Sequence, residues 1–270
     1  MTSAELVQAG RLDEALTTLQ GEIRRQPADQ RLRLFLFQLD CVLGRLDKAL
    51  TQLQLVASLD AETMLLAQVF RQVVACELFR REVFAGKRTP LIFGEPQEWI
   101  GLLVQANALV AERRFGPAAE LRQRAFEAAP ATAGKLDGRP FEWIADADSR
   151  LGPLLEVMLD GKYYWVPFCR LAKIQLGKPT DLRDVVWAQA QLHWVNGGDA
   201  SGFIPARYPG TETSGDDALC LARKTIWNEA AADCYLGVGQ RMISTDAGEF
   251  PFLDCRSIEL SPSSNSEPAK

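Results

Sequence analysis

Gly10–Leu16 reads GRLDEAL and Gly44–Leu50 reads GRLDKAL, so one phrase recurs from Gly10 to Gly44 with a spacing of 34 residues. That period is one helix pair of a tetratricopeptide array. Ala15 and Ala49 supply the small residue that lets two helices approach closely, and Pro27 stands where a second helix should stop. A looser third copy, Arg114-Phe115-Gly116-Pro117-Ala118-Ala119, leads to Pro130 in the same way that Ala15 leads to Pro27. These repeats predict an N-terminal helical array.

Apolar residues extend the pattern outward. Leu12, Ala15, Leu16, Leu19 and Ile23 form one helical stripe, and Leu46, Ala49, Leu50, Leu53 and Ala57 repeat it. Leu32, Phe35, Leu36, Leu39 and Leu43 mark the helix between them. Thr2 with Glu5 forms a capping-box pattern, and Asp60 reads as the cap of a long helix over 61–84. That helix has no turn residue near Leu78, so the array is irregular there. Trp99, Leu102, Leu103, Ala106, Leu109 and Val110 form a further stripe leading into the third copy.

Small residues and glycine over 131–140 place a domain boundary there. Beyond it the period changes from helical to alternating: Ala172, Ile174 and Leu176, then Val186, Ala188, Ala190, Leu192 and Trp194. Asn196-Gly197-Gly198 signals a hairpin with 202–208 returning, and 163–168, 240–245 and 253–260 read as further strands. The expected fold class is α+β. Residues 1–133 form a tetratricopeptide-like helical domain, 134–260 a β-rich α+β domain with a small, mainly antiparallel sheet or partial barrel, and 261–270 a disordered polar tail.

Composition excludes several functions. A net charge of −5 disfavours a phosphate-backbone ligand, so no nucleic acid is expected. The segment 64–84 is interrupted by Arg71, Glu77, Arg80, Arg81 and Glu82, and no stretch reaches the ~20 apolar residues of a membrane span. Met1–Glu5 lacks the pattern of a secretory signal, which suits the cytoplasm. The six cysteines are scattered without close pairs, as buried thiols would be.

Catalytic patterns are sparse. His193 is the sole histidine and has no Gly-x-Ser-x-Gly elbow or paired cysteine to serve. Asp146/Asp148 and Asp216/Asp217 are carboxylate pairs that would support a metal-assisted enzyme, with Arg207 and Arg223, only if they converge. Loop and capping roles compete with that reading. A clamp for a C-terminal carboxylate would place Lys or Asn on the first helices of the repeats, but 32–43 offers Arg33 and neither of those residues.

Longer phrases carry more information. Phe141–Asp148 reads FEWIADAD, Arg150–Pro153 RLGP, Gly161–Pro167 GKYYWVP, Asp181–Trp187 DLRDVVW, Ile204–Gly210 IPARYPG and Leu221–Trp227 LARKTIW. Together with Leu155-Glu156 and Asp216, this run resembles the ImpE family (also TagJ, or SciE-type) of type VI secretion accessory proteins. The resemblance extends to the helical half, because family members also begin with tetratricopeptide-like helices. It implies a non-enzymatic adaptor with no catalytic residue, metal or cofactor. The implied partners are the small sheath subunit TssB, held by its N-terminal helix, and, through sheath recycling, the ATPase ClpV. Trp143, Asp146, Asp148, Trp165, Arg183, Trp187, Arg207, Tyr208, Arg223 and Trp227 are the motif positions expected to serve structure or partner binding.

Overall fold

The computed structural model describes residues 1–57, 61–231 and 234–262. Helices α1 (Ser3–Gln8), α2 (Leu12–Arg25), α3 (Gln30–Val42), α4 (Leu46–Ala57) and α5 (Ala61–Phe84) come first. A short strand β1 (Leu91–Ile92) separates them from α6 (Glu98–Ala111) and α7 (Phe115–Ala128).

The repeated phrase is a turn. Gly10 and Gly44 have φ of 70° and 69°, and Arg113 takes the same left-handed conformation at 60° in the third copy. Each turn closes in the same way: Arg11 N–H donates to Leu6 O, Arg45 to Asp40 O and Arg114 to Leu109 O. These are helix-ending motifs in which a residue with positive φ frees the next N–H to reach back five residues. Three helix hairpins follow, α1–α2, α3–α4 and α6–α7. Ala15, Ala49 and Ala118 are fully buried where their helices meet their neighbours. The predicted capping box at Thr2 is present, with both reciprocal bonds to Glu5. The predicted cap at Asp60 lies outside the described residues.

The remaining strands are β2 (Thr132–Leu136), β3 (Arg139–Phe141), β4 (Ile144–Asp146), β5 (Leu154–Leu159), β6 (Lys162–Pro167), β7 (Leu171–Leu176), β8 (Trp187–Trp194) and β9 (Asp199–Pro205). A one-turn helix α8 (Asp217–Cys220) precedes β10 (Thr225–Ala231), β11 (Cys234–Gly239), β12 (Met242–Thr245), β13 (Gly248–Pro251) and β14 (Ser257–Pro262). Among the described residues the main sheet has nine strands in the open order β1-β6-β5-β9-β8-β7-β14-β2-β3. All neighbours are antiparallel except β1 and β6.

The sheet is larger than the sequence predicts. The glycine-rich stretch read as a boundary loop is the β2–β3 hairpin, in which Gly134 lies so close to the neighbouring strand that an added Cβ would stand 2.0 Å from Glu259 O. The strand after Asn196-Gly197-Gly198 is β9, earlier than the predicted 202–208. The turn at Asp246-Ala247 joins β12 to β13, and β13 falls where no strand was expected. Strand β14 continues through Ser261 and Pro262, where the polar tail was read to begin, and 263–270 lie outside the described residues.

Alternation along the strands builds two apolar layers. Leu154 and Met158 on β5, Tyr163 and Trp165 on β6, and Trp187 on β8 join the core that includes α2, α3, α4, α5 and α6. Leu155, Val157, Val166, Ala188, Leu192 and Ile258 form a second core on the opposite face. Helices and sheet therefore share one interior, in which Phe70 on α5 packs against Phe37, Phe203 and Trp187.

Candidate functional site

The helix–sheet junction concentrates the buried charge of the molecule. On α5 the apolar stripe Val73, Val74, Val83 is interrupted by Glu77 and Arg80, both buried. On β5 Glu156 takes the same face as Leu154 and Met158. Its carboxylate receives Arg80 from α5, Arg241 from the segment between β11 and β12, and the Tyr163 hydroxyl from β6. Glu77 accepts from Trp187 Nε1 at 3.0 Å and from Arg80 at 3.1 Å. Arg241 bridges on to Asp146. Asp146 also receives the Tyr208 hydroxyl at 3.1 Å and the Asp148 N–H at 2.8 Å. Asp148 in turn holds Arg150 and accepts from Gly237 N–H at 2.8 Å.

Electrostatics follows from these partners. Burial opposes ionisation of Glu156, but Arg80 and Arg241 together outweigh it and hold the carboxyl down at about 2. Burial dominates at Asp146 and raises it to about 6, with Arg241 opposing. Burial also lowers Arg207, whose guanidinium donates to carbonyls rather than to a carboxylate. Charges removed from water persist when paired or fully hydrogen-bonded in these ways.

Two motif arginines fasten helix ends. Arg207 donates to Val42 O at 2.9 Å, the last residue of α3, and Arg223 donates to Val7 O at 3.1 Å near the end of α1. A cation at a helix C-terminus meets its unpaired carbonyls and its negative dipole end. Asp217 completes the seam by accepting Leu12 N–H of α2 at 2.8 Å.

The structure brings six of the ten motif positions together in the buried centre: Asp146, Asp148, Trp165, Trp187, Arg207 and Tyr208. Arg183 lies beside it, with its guanidinium 4.7 Å from the Phe70 ring centroid. Trp227 packs on Tyr208 from the outside, Arg223 sits on the surface seam, and Trp143 is exposed, its N–H donating to Asp246. Sequence reasoning missed Glu77, Arg80, Tyr163 and Arg241. The first two carry a legible signal: an acid and a base three residues apart inside an apolar helical stripe.

The carboxylate pairs do not form the convergent cleft that a metal-assisted enzyme requires. Asp146 and Asp148 face arginines and backbone N–H groups, Asp216 caps α8 through Ala218 and Leu219 N–H, and Asp217 caps α2. Among the described residues no group of three or more His, Cys, Asp or Glu is placed to hold a metal ion. His193 pairs with Asp199 at 2.6 Å across the β8–β9 hairpin and contacts Gln175 on β7, tying adjacent strands. All six cysteines are buried free thiols. No helix of the described residues is long and apolar enough to cross a membrane.

Comparison with known proteins agrees with the motif run. The model of the ImpE protein family matches residues 138–259, which include Glu156, Arg207 and Arg241. The chain is 47% identical over 262 residues to the type VI secretion system accessory component TagJ of Pseudomonas aeruginosa, covering 97% of this chain and 92% of that protein. It also superposes on the X-ray crystal structure of protein VPA1032 from Vibrio parahaemolyticus with a TM-score of 0.87 and 25% identity, covering 96% and 97% of the two chains. With a relative this similar over nearly its full length, the chain belongs to the ImpE family.

Proposed function

We propose that the protein is a non-enzymatic adaptor of a type VI secretion system, working in the cytoplasm. In this reading it holds the N-terminal helix of the small sheath subunit TssB and links the sheath to recycling by the ATPase ClpV. The observation that carries the reading is the 47% identity to TagJ across 97% of the chain. We take the three helix hairpins as tetratricopeptide-like repeats over 1–133, with 134–260 as the β-rich partner domain.

The geometry narrows the host surface. Gln38, Val42, Glu77 and Arg80 turn one side of α3 and α5 to the sheet and are engaged there. Apolar side chains remain at the adjoining ends of α4 and α5: Leu55, Met64 and Leu65 are 45%, 49% and 65% exposed. An amphipathic guest helix needs such anchors along a seam between host helices. The test is a fluorescence-anisotropy titration of the full chain with the TssB N-terminal peptide. The expected result is saturable micromolar binding, weakened about tenfold or more by Met64→Asp with Leu65→Asp at unchanged thermal midpoint. Absence of binding up to hundreds of micromolar sinks the partner assignment, and undiminished binding by the variant sinks the seam.

A further inference from the structure

Strands β10 and β11 form a ribbon apart from the main sheet, and one of its edges is unpaired. The bonds of β11 show which groups point outward. Gly237 N–H donates to Asp148 Oδ2 at 2.8 Å, Gly239 N–H to Thr211 Oγ1 at 2.9 Å, and Tyr235 O accepts from Ser149 N–H at 3.4 Å. These three residues therefore turn their main chain away from β10. Their cross-strand partners are Trp227, Thr225 and Glu229. Opposed residues of an antiparallel pair either bond each other or both point away. Thr225, Trp227 and Glu229 thus present their N–H and C=O groups on the outer edge of β10. Among the described residues nothing bonds the main chain of Trp227 or Glu229 there. Ile226, Asn228 and Glu229 are exposed and Trp227 is half-buried. Helix α7 meets the ribbon at its far end, where Arg122 donates to Cys234 Sγ at 3.6 Å.

The other sheet edges are closed in the ways soluble proteins close them. β1 has two residues and follows Pro90, β3 has three and contains Pro140, and β13 ends at Pro251. The outer side of β4 is covered where Asp146 N–H donates to Gly152 O at 2.6 Å, and that of β11 by the bonds above. β10 runs for seven residues with neither proline nor lysine.

An open edge is completed by another strand, and the pattern of β10 is self-complementary. A twofold axis at Trp227 sets Thr225 opposite Glu229 of the second copy and Trp227 opposite its own mate. Every outward N–H then meets an outward C=O. Glu229 is the one charged residue of β10 and has no ion pair among the described residues. The register keeps the two Glu229 side chains apart. An axis at Glu229 would oppose like charges and run into the irregularity between Glu229 and Ala231. We propose that β10 pairs antiparallel with β10 of a second copy of this chain in the Trp227 register, joining the two ribbons into one sheet. The pairing uses none of the α4–α5 seam and does not depend on the adaptor reading.

The test combines sedimentation of the full chain from about 1 µM to about 500 µM with amide hydrogen exchange over the same range. The expected result is a reversible dimer in which the Trp227 and Glu229 amides gain protection as concentration rises. Glu229→Pro removes one outward N–H and no bond within the ribbon, and is expected to weaken dimerisation about tenfold or more. Thr225→Lys and Thr225→Glu both lose the Thr225 Oγ1 bond to Gln240 O, so their difference reports the charge opposite Glu229. The Lys variant is expected to dimerise about tenfold more tightly than the Glu variant in about 0.15 M salt, which screens the change in net charge. A monomer at every concentration, a dimer that leaves these amides unprotected, or equal dimerisation of the two Thr225 variants each overturns the proposal. So does protection independent of concentration, which would assign the edge to a segment of the same chain.

Discussion

Arg80 of α5 and Glu156 of β5 meet across the helix–sheet junction as a two-pronged pair, with side chains 3% and 0% exposed. Arg241 reaches the same carboxylate at its Oε2. One acid is thus shared by two buried guanidinium groups, and its removal leaves Arg80 with Glu77 and Arg241 with Asp146, one negative charge short.

Glu156→Gln is expected to destabilise the protein by about 3–5 kcal/mol, because it leaves uncompensated buried charge. Glu14→Gln, which breaks the exposed Arg11–Glu14 pair, is expected to cost ~0–1 kcal/mol. Urea unfolding of the two variants separates the cases. Similar midpoints for both would contradict the central role of Glu156.

Asp40 on α3 is buried, and its Oδ1 has no partner among the described residues. Burial raises its carboxyl to about 6, with Arg45 and Lys48 opposing. The native state therefore holds more protons than the unfolded chain between the unperturbed 3.8 and about 6, so stability falls as pH rises through that window. Asp40→Asn removes the penalty. It is expected to stabilise by on the order of 2 kcal/mol at pH 7.5 and to have little effect at pH 4. Denaturant midpoints at the two pH values test the sign, and an equal effect at both would refute the assignment.

Arg113 adopts φ of 60°, the conformation that glycine supplies at Gly10 and Gly44. Arg113→Gly is expected to stabilise by about 1 kcal/mol, because the left-handed turn no longer carries a Cβ. Gly44→Ala is expected to do the opposite and by more, since the new Cβ would also stand 2.4 Å from Glu212 Cγ. Thermal melts of both variants should move in opposite directions.

Gly237 faces the Tyr208 ring, and an added Cβ would lie 2.3 Å from it. Gly237→Ala is expected to cost about 1–3 kcal/mol through overpacking. It should also quench or shift the fluorescence of Trp227, whose ring centroid lies 5.5 Å from that of Tyr208. A loss of stability with no change in that signal would place the damage elsewhere.

The helix hairpins are legible in the sequence because a left-handed turn selects glycine and close helices select alanine. Half of the sheet is legible for a similar reason: β7 and β8 bury one side more than the other and alternate accordingly. Strand β5 does not, because LLEVML is covered on both faces and Glu156 reads as a stray charge in an apolar run. The β2–β3 hairpin is hidden because glycine used for close strand packing looks like glycine used for a loop. Asp146 and Asp148 attract notice as acids, but their role depends on Arg241 and Arg150. The Arg241 pairing joins residues far apart in the chain, and no local pattern announces it.

The short strand β1 comes from the middle of the helical half, between α5 and α6, yet it forms the edge of the main sheet beside β6. The chain is therefore interlaced rather than beaded. A cut at residue 133 would leave this edge strand without its neighbour, and a pull on the helices would load the sheet through main-chain bonds as well as side chains. Such stitching makes the molecule behave as one rigid handle under strain.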